Sequence, residues 1–187
     1  MRDARSGCAI NVAVEVLGDP WTLVVLRDIV FGNRRHFREL LNQNIEGIAS
    51  NVLASRLKSL VEYGLLTRDD AGRGQRATYS LTEAGIQTVP VMVALGAWGL
   101  NNCPTEPSLA VQAKVLATGS SGLVEDLMDE LRELHLGAPA RRHEGGPRTS
   151  DLLAEAVARC PREGPQAGQD ADDETGHPDS SAGNIPA

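Results

Sequence analysis

The sequence predicts a mainly α-helical chain with one small β-hairpin, a helical extension after it and a disordered tail. Three observations carry this expectation. From Ser50 to Tyr63 the apolar residues Leu53, Leu57, Leu60 and Val61 recur at helical spacing. Directly afterwards, Leu65–Arg68 and Ala77–Leu81 read as two strands around the tip Ala71-Gly72-Arg73-Gly74-Gln75. All six aromatic residues, Trp21, Phe31, Phe37, Tyr63, Tyr79 and Trp98, lie before residue 104. Large rings supply the most core area per residue, so the independent core belongs to the N-terminal part.

In chain order, a first helix is expected from Ala9 to Leu17, with Ile10, Val14 and Leu17 on one face. Pro20 suits the start of a second helix, Trp21 to Val30, because its missing N–H would be unpaired there anyway. That helix is almost wholly apolar and should form the buried centre. Gly32-Asn33 turns the chain, and His36–Gln43 is a short helix with Phe37, Leu40 and Leu41 inward. Ser50–Tyr63 follows, stopped by Gly64 as a C-terminal cap.

After the hairpin, Thr82 is a good N-cap with Glu83 in the first turn, where a carboxylate favours the helix dipole. The segment Glu83–Leu100 contains Pro90, which should kink it or split it in two. Its apolar residues Ile86, Val89, Val93, Leu95, Ala97 and Trp98 exceed what one small domain can cover, so a dimer seam is expected there. Leu109–Thr118 and Leu123–Leu136 read as helices, the second with a stripe of Leu123, Leu127, Leu131 and Leu134. Thr149 or Ser150 would cap a further short helix ending near Arg159. Residues 161–187 are rich in Gly, Pro, Asp and Ser with almost no apolar content, hence an expected disordered tail. The resulting division is 1–104, 105–160 and 161–187.

Charge divides along the same lines. Residues 1–104 carry a net +1 and residues 105–187 a net −8, within the overall −7. The acidic balance belongs to the C-terminal part and leaves room for local basic clusters in the first domain. Met1–Gly7 is polar, with no apolar stretch ahead of a cleavage site, so no secretory signal is expected and the chain reads as cytoplasmic. No apolar run is long enough to span a bilayer. Three cysteines at positions 8, 103 and 160 give neither a zinc spacing nor a disulfide framework.

The outer face of Ser50–Tyr63 carries Asn51, Ser55, Lys58 and Ser59, which are short polar or cationic groups. A helix that can reach base edges, with an arginine-bearing hairpin beside it, is the layout of a winged helix-turn-helix, and it points to double-stranded DNA. Ser50, Asn51, Ser55 and Lys58 are the candidates for the groove-facing surface. Arg56 sits on its flank, where it could contact DNA or brace the helix by ion pairing. Arg34, Arg35 and Arg38 could reach backbone phosphates. Arg73 and Arg76 at the hairpin suit the minor groove.

Cys8 through Trp98 resembles the HxlR-type transcriptional regulators, a branch of the MarR-like winged-helix proteins. The residues that carry the resemblance form an ordered series: Cys8, Gly18-Asp19-Pro20-Trp21-Thr22-Leu23, Leu26-Arg27-Asp28, Gly32 and Arg35-His36-Phe37-Arg38-Glu39-Leu40. The series continues through Gly47-Ile48, Val52-Leu53, Arg56-Leu57, Leu60-Val61-Glu62-Tyr63-Gly64-Leu65, Tyr79-Ser80-Leu81-Thr82-Glu83-Ala84-Gly85 and Trp98-Gly99. The resemblance implies a homodimer that regulates nearby genes by binding two major-groove half-sites. Ser50–Tyr63 would be the recognition helix and the hairpin the wing. Two departures stand out: Ala49 occupies the helix cap where members commonly carry Ser, and Asn51 stands where a basic residue is common. Asn51 moves the expected readout from guanine towards adenine.

Some members of that family sense oxidants or electrophiles through a cysteine at the position of Cys8. The resemblance therefore implies an oxidant or small-molecule effector, with a thiolate at Cys8 favoured by a helix N-terminus and by Arg5. A buried packing role for Cys8 is the alternative. Cys103 could approach Cys8 of a second copy if the first and last domain helices form the seam. Catalysis finds little support: the four histidines are scattered, and no nucleophile elbow or phosphate-cradling loop is present. No enzyme, metal or cofactor is expected. The competing reading is a winged-helix protein-interaction module that works through the acidic C-terminal helices.

Overall fold

The structure is a computed structural model that describes residues 5–69, 72, 76–120, 122–139 and 147–160. The expected disorder of 161–187 and the tip residue Arg73 lie outside these residues. Among the described residues the elements are α1 (Ala9–Leu17), α2 (Pro20–Val30), α3 (Phe37–Asn42), α4 (Ser50–Glu62), β1 (Leu66–Asp69), β2 (Thr78–Leu81), α5 (Glu83–Ile86), α6 (Val89–Asn102), α7 (Pro107–Thr118), α8 (Gly122–Leu136) and α9 (Thr149–Ala158). The two strands pair antiparallel with Leu66 opposite Leu81 and Asp69 opposite Thr78.

The centre is α2, as its composition required. Val25, Leu26, Ile29 and Val30 are buried and pack with Leu40 of α3, with Leu53, Leu57 and Leu60 of α4, and with Leu66 and Leu81 of the hairpin. Pro20 occupies the first turn, and the Asp19 carboxylate accepts from the Thr22 N–H at 3.1 Å. This satisfies one of the N–H groups that a helix start leaves open.

The end of α4 locks the hairpin in place. Gly64 takes φ +72°, which costs a glycine little. Leu65 N–H then donates to Leu60 O at 2.9 Å and Gly64 N–H to Val61 O at 3.0 Å, the paired bonds of a Schellman ending. The Thr82 hydroxyl donates to Gly64 O at 2.6 Å and accepts from Gly85 N–H at 3.1 Å, so one side chain ties the end of α4 to the start of α5. Gly85 lies so near that an added Cβ would stand 2.2 Å from Leu65 O.

Pro90 splits the helix expected over Glu83–Leu100 into α5 and α6, and sits itself in the first turn of α6. In α6, Val89 and Met92 are buried, whereas Val91, Leu95 and Trp98 are exposed along one stripe. In α1 most of the expected apolar face is turned outward. Ile10 and Val14 are 76% and 52% exposed, and the half-buried residues are Asn11, Val12, Val16 and Leu17. The helix lies against α2 and leaves Ile10 and Val14 uncovered.

The C-terminal helices pack on this core. Leu116, Leu127, Met128, Leu131 and Leu153 belong to the same buried cluster as α2 and α4. Met128 is buried where the leucine stripe pointed to Leu134, which is exposed. The cap expected of Thr149 or Ser150 is also corrected. Arg148 holds the cap position of α9 with no side-chain cap bond, and the Glu130 carboxylate accepts from Thr149 N–H at 2.5 Å and Ser150 N–H at 3.0 Å. A residue on α8 therefore caps α9 from outside, at a favourable place for an anion. No single helix among the described residues is long and apolar enough to cross a membrane.

Candidate nucleic-acid interface

The helix that should read DNA buries Leu53, Leu57 and Leu60 and turns the opposite face outward. Asn51, Ala54, Ser55, Lys58 and Glu62 are exposed at spacings of three and four, so they form one continuous stripe. Ala49 is the cap residue and no side chain caps the helix start; Ser50, the first helical residue, is exposed. Lys58 lies 3.7 Å from Glu62, both well exposed, a pair worth little in water and easily exchanged for a phosphate.

Beside this stripe is a concavity of about 740 Å³, walled by α3, α4 and the wing. His36, Arg38, Lys58, Arg68 and Arg76 are among its lining residues, with Phe37, Leu57 and Tyr79 beneath. Arg38 and Arg76 are exposed. Arg68, which is not among the residues that the sequence pattern marks, faces Tyr79 across the hairpin and belongs to the same wall. Alternation along the strand could have shown this.

Arg34, Arg35 and Arg56 are engaged within the protein. Arg35 donates from Nε to Tyr79 O at 3.3 Å and from its guanidinium to the Ser80 hydroxyl, while its own carbonyl accepts from Tyr79 N–H at 2.8 Å. It stitches the approach to α3 onto β2. Arg34 lies 3.1 Å from Asp28 and donates to Gln43 at 3.2 Å. Arg56 sits 3.4 Å from Asp19, bracing α4 against the α1–α2 turn. His36 contacts Ala77 O at 3.1 Å through Nδ1, and its N–H donates to Glu39 at 3.2 Å.

Asp28 organises the turn that leads into α4. This carboxylate is 4% exposed. Its Oδ1 accepts from Arg27 Nε at 3.0 Å and Nη2 at 2.7 Å, and its Oδ2 accepts from Asn44 Nδ2 at 3.1 Å beside Arg34. Asn44 in turn accepts from Ile48 N–H at 3.0 Å, one residue before the helix cap Ala49. Arg27 also grips Glu46 at 2.5 and 2.8 Å. The guanidinium holds the Glu46 carboxyl below its ordinary value, and Glu46 and then Asp28 raise that of Arg27. A buried charge persists only when paired in this way.

Cys8 is exposed at the cap position of α1. Its thiol is lowered by the backbone N–H groups of Asn11 and then Ile10. The expected help from Arg5 is corrected, since that guanidinium is turned to Glu15 at 2.5 Å. Cys103 ends α6 and is also exposed. Among the described residues no group of His, Cys, Asp and Glu is placed to hold a metal ion.

A three-helix core with α4 outermost and a two-stranded wing beside it defines a winged helix-turn-helix protein. The profile described as HxlR-like helix-turn-helix matches residues 16–107. An uncharacterized HTH-type transcriptional regulator of Methanothermobacter thermautotrophicus is 34% identical over 100 residues, covering 53% of this chain and 75% of that protein. The chain belongs to the HxlR-like helix-turn-helix family, a family of transcriptional regulators and not of enzymes. The uncharacterized HTH-type transcriptional regulator Rv3095 of Mycobacterium tuberculosis is 40% identical over 94 residues, half of this chain; the match spans 58% of that protein's length. The crystal structure of PA1607 is 31% identical, covers 55% of this chain and 70% of that one, and gives a TM-score of 0.49.

Proposed function

We propose that this protein is a cytoplasmic, sequence-specific regulator that binds double-stranded DNA as a homodimer. The observation that carries the reading is the exposed Asn51/Ser55/Lys58 stripe on α4, continuous with a concave wall bearing Arg38, Arg68 and Arg76. Asn51 and Ser55 on the stripe supply hydrogen-bonding groups for base edges, while Lys58, Arg38 and Arg76 supply cations for phosphates. Asn51 suits an adenine edge. The uncapped start of α4 offers N–H groups to a phosphate oxygen. Arg34, Arg35 and Arg56 act indirectly, by fixing the elements that carry the contacting groups.

Two exposed apolar stripes support the dimer: Ile10 and Val14 on α1, and Val91, Leu95 and Trp98 on α6. Burying such surface is the ordinary driving force for association of copies. Cys8 adds a thiol gate. With peroxide as oxidant, Cys8 and Cys103 of a second copy would each give up a hydrogen, forming one S–S bond while the peroxide is reduced to two waters. The bond would reset the spacing of the two recognition helices.

A gel-shift titration against the DNA upstream of its own gene, run reduced and with diamide, tests the whole reading. Specific retardation that Lys58→Gln and Arg76→Gln weaken supports it. Retention of binding in both variants would favour the protein-interaction reading.

A further inference from the structure

The outer edge of the wing needs a partner that the winged domain does not supply. In β2, Tyr79 N–H points away from β1 and donates to Arg35 O at 2.8 Å. Strand alternation turns the N–H of Leu81, two residues on, the same way. Leu81 is fully buried, and an unpaired N–H there would carry a full desolvation penalty. Its partner is His135, whose Nδ1 accepts from Leu81 N–H at 3.2 Å. His135 stands in the last turn of α8, beyond the 16–107 that the family profile matches.

A second fastener lies one turn earlier on the same face of α8. Arg132 donates from Nε and Nη2 to the two oxygens of Glu83 at 2.9 and 2.7 Å. Residues 132 and 135 thus hold residues 81 and 83, which bracket the exit of the wing into α5. We propose that His135 is a positioning residue for DNA binding: α8 completes the edge of β2 as a neighbouring strand would, and so fixes the wing that carries Arg68 and Arg76.

The imidazole does this in its neutral form, with the acceptor on Nδ1 and the proton on Nε2, which is buried without a hydrogen-bond partner. Burial of the ring, and then the positive charge of Arg35, which grips the same strand, oppose protonation. The position therefore rewards a neutral acceptor at one atom, and size alone does not replace it. Asparagine can place its Oδ1 close to the Nδ1 position, whereas leucine fills similar space with no acceptor.

This inference rests on the DNA-binding reading, and the test separates the two. In the full chain, His135→Leu and His135→Asn are compared by amide exchange and by titration of a labelled duplex taken from upstream of the gene. For His135→Leu, Leu81 amide exchange should accelerate about tenfold or more while Leu26 and Leu57 stay protected. DNA affinity should fall about five- to tenfold. His135→Asn should restore both. Unchanged Leu81 protection in His135→Leu, or an Asn variant that binds as weakly as the Leu variant, overturns the proposal. Wild-type protein that retards no duplex at low salt overturns the DNA reading itself, while the amide exchange still decides whether His135 holds the strand.

Discussion

Replacing Asp28 by Asn removes one charge from the best-connected side chain ahead of the recognition helix. The amide keeps the shape and can still accept at one oxygen. It cannot satisfy Arg27 at 2.7 and 3.0 Å together with Arg34 and Asn44 at 3.1 Å. Removing one partner from a fully buried pair costs about 3–5 kcal/mol. Here Arg27 keeps Glu46, and the two arginines are 34% and 24% exposed, so water recovers part of the loss. The expected cost is about 2–3 kcal/mol, near the value of hydrogen bonds to a charged group. For a chain of this size that is a drop in Tm of about 5–10 °C. Because Asn44 passes the contact to Ile48 N–H, the start of α4 should loosen as well, and DNA affinity should fall with stability. Thermal denaturation in an Asp28→Asn/Arg34→Gln double-mutant cycle reads the coupling directly. A Tm within about 1 °C of wild type, or strictly additive single effects, would refute the organising role given to Asp28.

Acid should weaken the fold in two stages. Burial, and then Arg35, lower His135 from 6.5 to about 4, so between those values the unfolded chain binds a proton that the folded chain refuses. That stability is complete above pH 6.5 and declines towards pH 4, on the order of 1–2 kcal/mol once solvent screening of the half-buried ring is allowed for. Arg132, and then Gln87, hold Glu83 at about 2 against an ordinary 4.5, a contribution present above 4.5 and lost from there downward. A denaturation midpoint that stays level from pH 6.5 to 4 contradicts the first stage. Gly85→Ala forces a Cβ against Leu65 O and should cost about 1–3 kcal/mol by urea denaturation; a neutral result means the turn is looser than described. Cys8 should alkylate faster than Cys103 with iodoacetamide at neutral pH, since the backbone N–H groups of Asn11 and then Ile10 lower the Cys8 thiol. Equal rates, or a Cys8→Ser protein whose DNA affinity still responds to diamide, would remove it as a sensor.

Local rules made the scaffold legible. Periodicity placed α4, Gly64 ended it, Thr82 capped α5, and Pro90 marked the break before α6. The outward stripe of α4 followed from the same period. What the sequence hid were partners brought together by folding. Arg27-Asp28 in an apolar helix gives no sign that Asp28 is buried, because the partners that complete its pairing with Arg27, the Arg34 guanidinium and the Asn44 amide, arrive from outside the helix. Arg34 and Arg35 read as surface cations until β2 and Asp28 appear beside them. The α8 stripe announced an apolar face without naming what it meets, and the real face turned towards Met128. His135 sits on a polar helix in sequence and under a strand edge in space.

The most direct measurement is the affinity of the full chain for its upstream duplex across a salt series, with wild type beside Lys58→Gln. With Arg38, Lys58 and Arg76 from each of two copies at phosphates, log K should fall against log salt with a slope of about −5. Lys58→Gln should flatten that slope by about 2 units, one phosphate contact per copy. A binding constant indifferent to salt, or a slope that Lys58→Gln leaves unchanged, would contradict the assignment of this face to DNA.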